Sequence, residues 1–467
     1  NVTAKYQFGL NTQFRAPEFA DAFAYANCVN VAMANDGLAP RYSNAELDAF
    51  KNGNLPYDYP DVDWWKETMN DFGYTNRLQL TFDGGSSKFR YYTVIDYYRD
   101  KSMLKETTTD DRYSTKPTDT RLSVRTNLDL DITPTTFLRA HIAANLQELR
   151  GTAYGRNNIM KAIWNTPSAA FPVRYANGIY GGNQVYGENN PVALLMDKGH
   201  VRNMFGTLLA DLSLRQNLDA LTRGLSAELL VSFDNRGGMN ETSSKSYRYM
   251  NTYPTITEDG TLVTTPAVYG KDSQELGHSQ PFNSLMMRSN FQAKLAYDRN
   301  FNGHNVHAAA MYDFRSIMRN GRNNTTRNQS AIFNATYTYG NRYELNAVAN
   351  YSGSAYLPAG SRYHFYPAVS AAWNIAGENF LGGAGWLDVL KIRASYGISG
   401  WDNSLSHELW RQAYGSGNSY VFGSNATAVS GSAEGDLPVV GLKPERSEKM
   451  TLGLDFAAFG NRLNLYV

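Results

Sequence analysis

Leu122-Ser123-Val124-Arg125-Thr126-Asn127-Leu128-Asp129-Leu130-Asp131-Ile132 is the stretch that decides how this chain is read. Leu122, Val124, Leu128, Leu130 and Ile132 share one parity, and Ser123, Arg125, Asn127, Asp129 and Asp131 share the other. A strand sends successive side chains to opposite faces, so this period of two predicts a strand that is apolar on one side and charged on the other. Thr133-Pro134-Thr135 turns the chain, and a second run returns from Phe137 to Leu149. The same pattern opens the sequence. Ala4, Tyr6, Phe8, Leu10 and Phe14 fall opposite Lys5, Gln7, Gly9, Asn11 and Gln13. A hairpin follows, from Asn76 to Phe82, through Asp83-Gly84-Gly85-Ser86, and back over Lys88 to Tyr98. Later alternating runs cover 203–219, 224–237, 287–299, 304–319, 328–339, 342–352, 364–376, 389–399, 446–457 and 461–467. Alternation and turn signals together predict about fifteen strands.

The connections vary in length. Short ones are Asp298–Gly303, Tyr339-Gly340-Asn341 and Phe459-Gly460-Asn461; long ones cover 15–73, 99–118, 150–202, 238–286 and 400–445. Long loops at one end and tight turns at the other are the signature of an outer-membrane barrel. Arg125, Asp129, Asp131, Asp211, Arg215, Lys294, Asp298, Glu344 and Asp455 all occupy the polar register. A charge facing hydrocarbon at the bilayer midplane costs about 2–4 kcal/mol, whereas one facing a wet lumen costs little. A soluble sandwich accommodates the same alternation. Strands of about a dozen residues, against about 5–6 in soluble proteins, favour the barrel.

Composition is compatible with this. The chain has 467 residues and a net charge of +1, which excludes broad attraction to nucleic acid. Its 32 Tyr, 22 Phe and 7 Trp suit a membrane interface, and equally a glycan-binding surface. Mean hydropathy is −0.47, and no apolar run is long enough for a spanning helix. A barrel with a wet lumen reads as hydrophilic on average. Cys28 stands alone, so no internal disulfide is expected. The chain opens directly in a strand and stops in another, which reads as an internal piece of a longer protein.

Several motifs resemble SusC/RagA-type TonB-dependent outer-membrane transporters. They are Ala49-Phe50-Lys51-Asn52-Gly53 followed by Tyr59-Pro60-Asp61-Val62-Asp63-Trp64-Trp65, and Asn190-Pro191-Val192-Ala193. Further along come Ser361-Arg362, then Tyr366-Pro367-Ala368-Val369-Ser370-Ala371-Ala372-Trp373, and Leu390-Lys391-Ile392-Arg393-Ala394-Ser395-Tyr396-Gly397. Leu442-Lys443-Pro444-Glu445-Arg446-Ser447-Glu448 precedes Leu452-Gly453-Leu454-Asp455-Phe456. Their order spans nearly the whole chain. The resemblance implies an all-β, antiparallel transmembrane barrel, 22-stranded in the family. Residues 1–467 would form about fifteen of those strands, with the N-terminal plug and the C-terminal strands lying outside them. It also implies import of oligosaccharides or peptides, a SusD-like surface lipoprotein as lid, coupling to TonB through the missing N-terminal part, and residence in outer-membrane lipid of a Gram-negative bacterium. Neither catalysis nor a cofactor is expected. Two other readings stay open: a soluble carbohydrate-binding β protein or adhesin, and a siderophore transporter of the same architecture.

Loop aromatics are the candidate ligand contacts, because aromatic faces stack on sugar rings: Trp64, Trp65, Tyr180, Tyr186, Trp401 and Trp410. Their competing role is loop-to-loop packing, toward which Trp64 and Trp65 lean as members of a motif. Arg125, Asn127, Asp129, Asp131, Asp211 and Arg215 are the lumen-facing candidates. No metal site is expected. His304 and His307, three apart on a strand, face opposite ways, and His407 belongs to no cluster. Asp58, Asp61 and Asp63 crowd one loop, where turn formation around Pro60 competes with calcium binding.

Overall fold

The structure is a computed structural model. It describes all residues except 106–111, 258–259, 322–324, 403–404 and 406–407; His407 is therefore outside the described residues. In chain order the strands are β1 (Val2–Asn11), β2 (Gly73–Gly85), β3 (Phe89–Lys101), β4 (Thr118–Thr133), β5 (Thr136–Thr152), β6 (Tyr180–Gly181), β7 (Gly199–Asn217), β8 (Leu225–Ser244), β9 (Tyr249–Ile256), β10 (Leu262–Tyr269), β11 (Gly277–Ser279), β12 (Phe282–Phe301), β13 (His304–Arg319), β14 (Thr325–Tyr339), β15 (Tyr343–Ser354), β16 (Tyr363–Asn374), β17 (Leu387–Trp401), β18 (Tyr414–Phe422), β19 (Thr427–Glu434), β20 (Glu445–Ala458) and β21 (Leu463–Tyr466). Among the described residues five α-helices lie in loops: α1 (Ala22–Asn35), α2 (Asn44–Asn52), α3 (Trp64–Thr68), α4 (Arg156–Asn165) and α5 (Pro191–Met196).

One large sheet dominates. Its strands are hydrogen-bonded in the order β1-β2-β3-β4-β5-β7-β8-β12-β13-β14-β15-β16-β17-β20-β21, every pair antiparallel, with β11 added alongside β8. Each strand thus pairs with its neighbour in the sequence once the loop hairpins are set aside. Among the described residues no ladder joins β1 to β21, so the sheet is an open stretch of a barrel-like fold.

The register carries the alternation across the whole sheet. Leu122 faces Leu146, and Leu130 faces Leu138, which in turn faces Leu214; Asp129 faces Arg139, and Asn127 faces His141. Because the side-chain period is two, in-register pairing keeps every apolar set on one face. From Leu122 to Ile132 the apolar face of β4 runs roughly 34 Å along the strand; tilted about 40°, it covers about 26 Å, close to the usual apolar band of an outer-membrane barrel. Aromatics mark both margins. Tyr343 and Trp373 pair near the short-turn end, and Tyr351 and Phe365 pair near the other. Between them lie Leu345 opposite Ala371, and Ala347 opposite Val369.

Some expectations need correcting. Phe14 is not on the first strand, because β1 ends at Asn11 and Phe14 is fully exposed beyond it. The turn expected over Asp298–Gly303 narrows to Asn302-Gly303, both at positive φ (49° and 81°). Asp298 stays in the ladder opposite His307. Two residues at positive φ match the right-handed strand twist, which is why Asn-Gly suits this hairpin. Two connections at the long-loop end, 320–324 and 355–362, are short. The long loops also contain structure that alternation gives no sign of: five helices and the β9–β10 and β18–β19 hairpins.

The buried core sits in those loops. Trp64, Leu104, Ile159, Ile163, Phe171, Tyr180, Val192–Met196 and Tyr247 form one cluster. A smaller one joins Ala22, Ala26, Ala49, Phe50 and Tyr59. Four loops that are far apart in sequence thus pack into a cap over the long-loop end. Local signals place its helices. Ser43 and Glu46 form a reciprocal capping box at the start of α2, and Gly53 ends it in the left-handed conformation (φ 64°). This accounts for the Ala49–Gly53 motif as a helix end.

Candidate functional site

Two surfaces could carry function: the polar face of the sheet and the loop cap above it. On the polar face, charges from neighbouring strands meet in pairs. Arg90 on β3 grips Asp131 on β4 through both terminal nitrogens, each at 3.0 Å. Arg139 on β5 lies 3.6 Å from Asp129. Farther round, Lys391 lies 3.2 Å from Glu344, and Arg393 lies 3.1 Å from Asp455. These pairs are solvated and screened, so they add little to stability.

The six polar candidates fall on this face by register. Arg125 and Asn127 lie opposite Ala143 and His141; Asp211 and Arg215 lie opposite His141 and Phe137. A cavity of about 250 Å³ opens beside Arg139, Ser213, Arg215 and Glu228. A larger one, about 520 Å³, is lined by Glu228, Gln292, Lys294, His307 and Asn334, with Met311 and Ile332 supplying apolar walls. His304 and His307 do point to opposite faces: His304 reaches the Tyr337 hydroxyl at 2.8 Å, and His307 contacts Asp298.

The aromatic candidates divide. Trp64, Trp65, Tyr180 and Tyr186 are brought together in the main loop cluster. Trp64 is only 3% exposed; its indole N–H donates to the Pro167 carbonyl at 3.1 Å, and its ring meets Phe171 edge-on. Tyr180 is 5% exposed, and Tyr186 is half-buried, its ring also meeting Phe171 edge-on. Neither Trp64 nor Tyr180 offers a free ring face to a ligand in this conformation. Trp401 and Trp410 lie apart from that cluster. Trp401 is exposed at the end of β17, and the Arg411 guanidinium covers the Trp410 ring at 4.7 Å.

The three crowded aspartates are spent on local structure. Asp61 accepts the Ala22 N–H at 2.9 Å, Asp63 caps α3 through the Lys66 N–H at 3.0 Å, and Asp58 accepts from the Thr264 hydroxyl at 3.3 Å. Among the described residues no three His, Cys, Asp or Glu side chains converge on a common point.

Two polar residues organise the cap. Asn190 is fully buried. Its amide oxygen accepts from Val192 and Ala193, starting α5, and its amide nitrogen donates to the Val173 and Gly181 carbonyls, both at 3.0 Å. Asp197 accepts the Tyr180 hydroxyl at 2.5 Å and lies 3.3 Å from Arg174 and 3.5 Å from Lys245. Burial, then the adjacent Asp197 carboxylate, pushes the Tyr180 hydroxyl well above the ordinary tyrosine range. Tyr247 is likewise pushed up, mainly by burial. Asn190 belongs to a motif read in the sequence, but nothing local marks Asp197, Phe171 or Tyr247.

No family model matches the chain. Among curated proteins it is similar to TonB-dependent receptor P3 of Formosa agariphila, 24% identical over 437 residues, covering 86% of this chain and 40% of that protein. TonB-dependent receptor P26 of the same organism is also 24% identical, covering 77% of this chain and 36% of the relative. A shorter match, 28% identical over 130 residues, is to TonB-dependent receptor SusC of Bacteroides thetaiotaomicron. Among solved structures, the RagAB peptide transporter superposes with a TM-score of 0.66 at 13% identity, covering 99% of this chain and 53% of that one. The open-open state of the RagAB peptide importer gives 0.67. The chain thus spans about half the length, or less, of the proteins it matches. Its fold is similar to that of the RagAB peptide transporter over about half of that protein's length.

Proposed function

We propose that this chain is part of the barrel of an outer-membrane importer for oligosaccharides or peptides, without enzymatic activity. A SusD-like surface lipoprotein would serve as its lid, and TonB would energise it. One observation carries the reading: a single register divides an apolar band about 26 Å tall from a face rich in charged and amide side chains, and a packed cap stands over one end. A wall wet on one side and greasy on the other suits passage of polar cargo through lipid. The superposition on the RagAB peptide transporter supports peptide cargo, whereas the likeness to SusC extends only over a short segment.

The test uses the full-length protein purified with its neighbouring surface lipoprotein. Calorimetric titration with oligosaccharides and with peptides is expected to give saturable binding to one class. Full solubility of the protein from the periplasm without detergent would overturn the transporter reading in favour of a soluble binding protein or adhesin. Rescue of growth under iron limitation, with no binding to either class, would indicate the siderophore alternative.

A further inference from the structure

At the long-loop end the apolar register gives way to charge, singly at Arg327 on β14, as a pair at Arg446 and Glu448 on β20, and most densely on β3 to β8. At the long-loop end, Lys101 pairs with Thr118, Thr118 with Arg150, Arg150 with Arg202, and Arg202 with Glu241. One level lower, Arg99 pairs with Thr120, and Thr120 with Glu148. All of these charges share the parity of Tyr97, Leu122 and Leu146, which form the topmost apolar row below them. At about 4.8 Å per strand, Lys101 and Arg202 are about 14 Å apart. Four cations and two carboxylates therefore line the outside of the wall, just above the hydrocarbon band. Glu148 serves both neighbours, accepting from Arg150 at 3.0 Å and from Arg202. The arginine side chains are still 51% and 46% exposed, so most of their donors point outward. On β13 to β16 the top of the apolar face is a neutral ladder, in which Tyr312 on β13 donates to Gln329 at 2.8 Å beside Tyr363, and the single charge Arg327 follows on β14.

We infer that Arg99, Lys101, Arg150 and Arg202 form a binding site for the phosphorylated headgroup of an outer-leaflet lipid. The inference rests on the outer-membrane reading above. Planar guanidinium groups match phosphate oxygens in pairs, and a cluster of them flush with the top of an apolar band lies where headgroup phosphates sit. Cargo and lid approach from the other face of the wall or from its open end, so neither reaches this outward patch.

The test places the full-length protein in nanodiscs of phosphatidylcholine doped with either phosphorylated or dephosphorylated lipid A, and reads the retained lipid by native mass spectrometry. Wild type is expected to retain the phosphorylated form preferentially. R150Q/R202Q should weaken that retention about twenty-five-fold, taking a factor of about five per arginine. E148Q should strengthen it, because it frees both guanidinium groups; this variant guards against simple misfolding of the double mutant. Equal retention of the two lipids by wild type, or no change in either variant, would overturn the inference. Displacement by excess inorganic phosphate would reassign the site to a soluble anion. Failure of wild type to enter either nanodisc would instead refute the outer-membrane reading.

Discussion

Asn190→Ala should open the loop cap while leaving the sheet intact. The side chain makes four hydrogen bonds in a fully buried position. Loss of the α5 cap costs about 1 kcal/mol. The Val173 carbonyl keeps the Gly181 N–H, but the Gly181 carbonyl loses the donor the amide supplies, at about 2 kcal/mol for a buried acceptor. A local destabilisation of about 3 kcal/mol multiplies the open population by about a hundred. Hydrogen exchange on the full-length, membrane-embedded protein is the assay. Amides across 153–198 should exchange about a hundredfold faster, with β4 and β5 unchanged. Asn190→Ser, which keeps a capping oxygen, should lose only about 2 kcal/mol. Asn190→Asp keeps the cap but turns a carboxylate toward two carbonyls, and should be at least as damaging as alanine. Unaltered exchange in Asn190→Ala, or acceleration shared equally by β4 and β5, would refute the reasoning.

Further outcomes follow from the two faces and the sheet edges. Leu128→Arg, on the apolar face between Tyr91 and Ala140, should cost about 2–4 kcal/mol in urea unfolding from vesicles; the same change at Asn127, on the polar face, should cost little. Equal penalties would show that the faces are misassigned. Glu378, between β16 and β17, accepts from Tyr343 at 2.5 Å, from Trp373 at 3.0 Å and from Arg342 at 3.1 Å. Hydrogen bonds from Tyr343 and Trp373, then Arg342, hold its carboxyl below the ordinary glutamate range. A depressed native pKa stabilises the fold fully above the unfolded value of about 4.3 and loses that contribution as pH falls through the native value. The stability gap between wild type and Glu378→Gln should therefore be constant near neutrality and shrink in acid; a gap that widens in acid would contradict it. Finally, segment 1–467 expressed alone carries unpaired edges on β1 and β21, which hydrocarbon does not tolerate. It should give no heat-modifiable band on gels, and such a band would refute the point.

The sheet was legible residue by residue; the cap was not. Asp129 and Asp131 alternate with Leu128, Leu130 and Ile132 inside a single strand, so their separation onto two faces needs no knowledge of the fold. Turns such as Asn302-Gly303 carry their own backbone requirement. The cap depends on distant loops meeting. Trp64 looks like an exposed loop aromatic until Pro167 and Phe171, a hundred positions away in the chain, close over it. Asp197 is ordinary until Arg174, Tyr180 and Lys245 arrive from its own loop and the next.

By itself, then, the sequence determined the period-two strands, the tight turns between some of them and which face of each is apolar, because side-chain alternation and tight turns are local properties of the backbone. Only the tertiary structure decided which aromatics are buried, which charges pair, and that Lys101, Arg150 and Arg202 line up in one row of the sheet. Those outcomes depend on register between strands and on contacts between loops, and neither is encoded within any one segment.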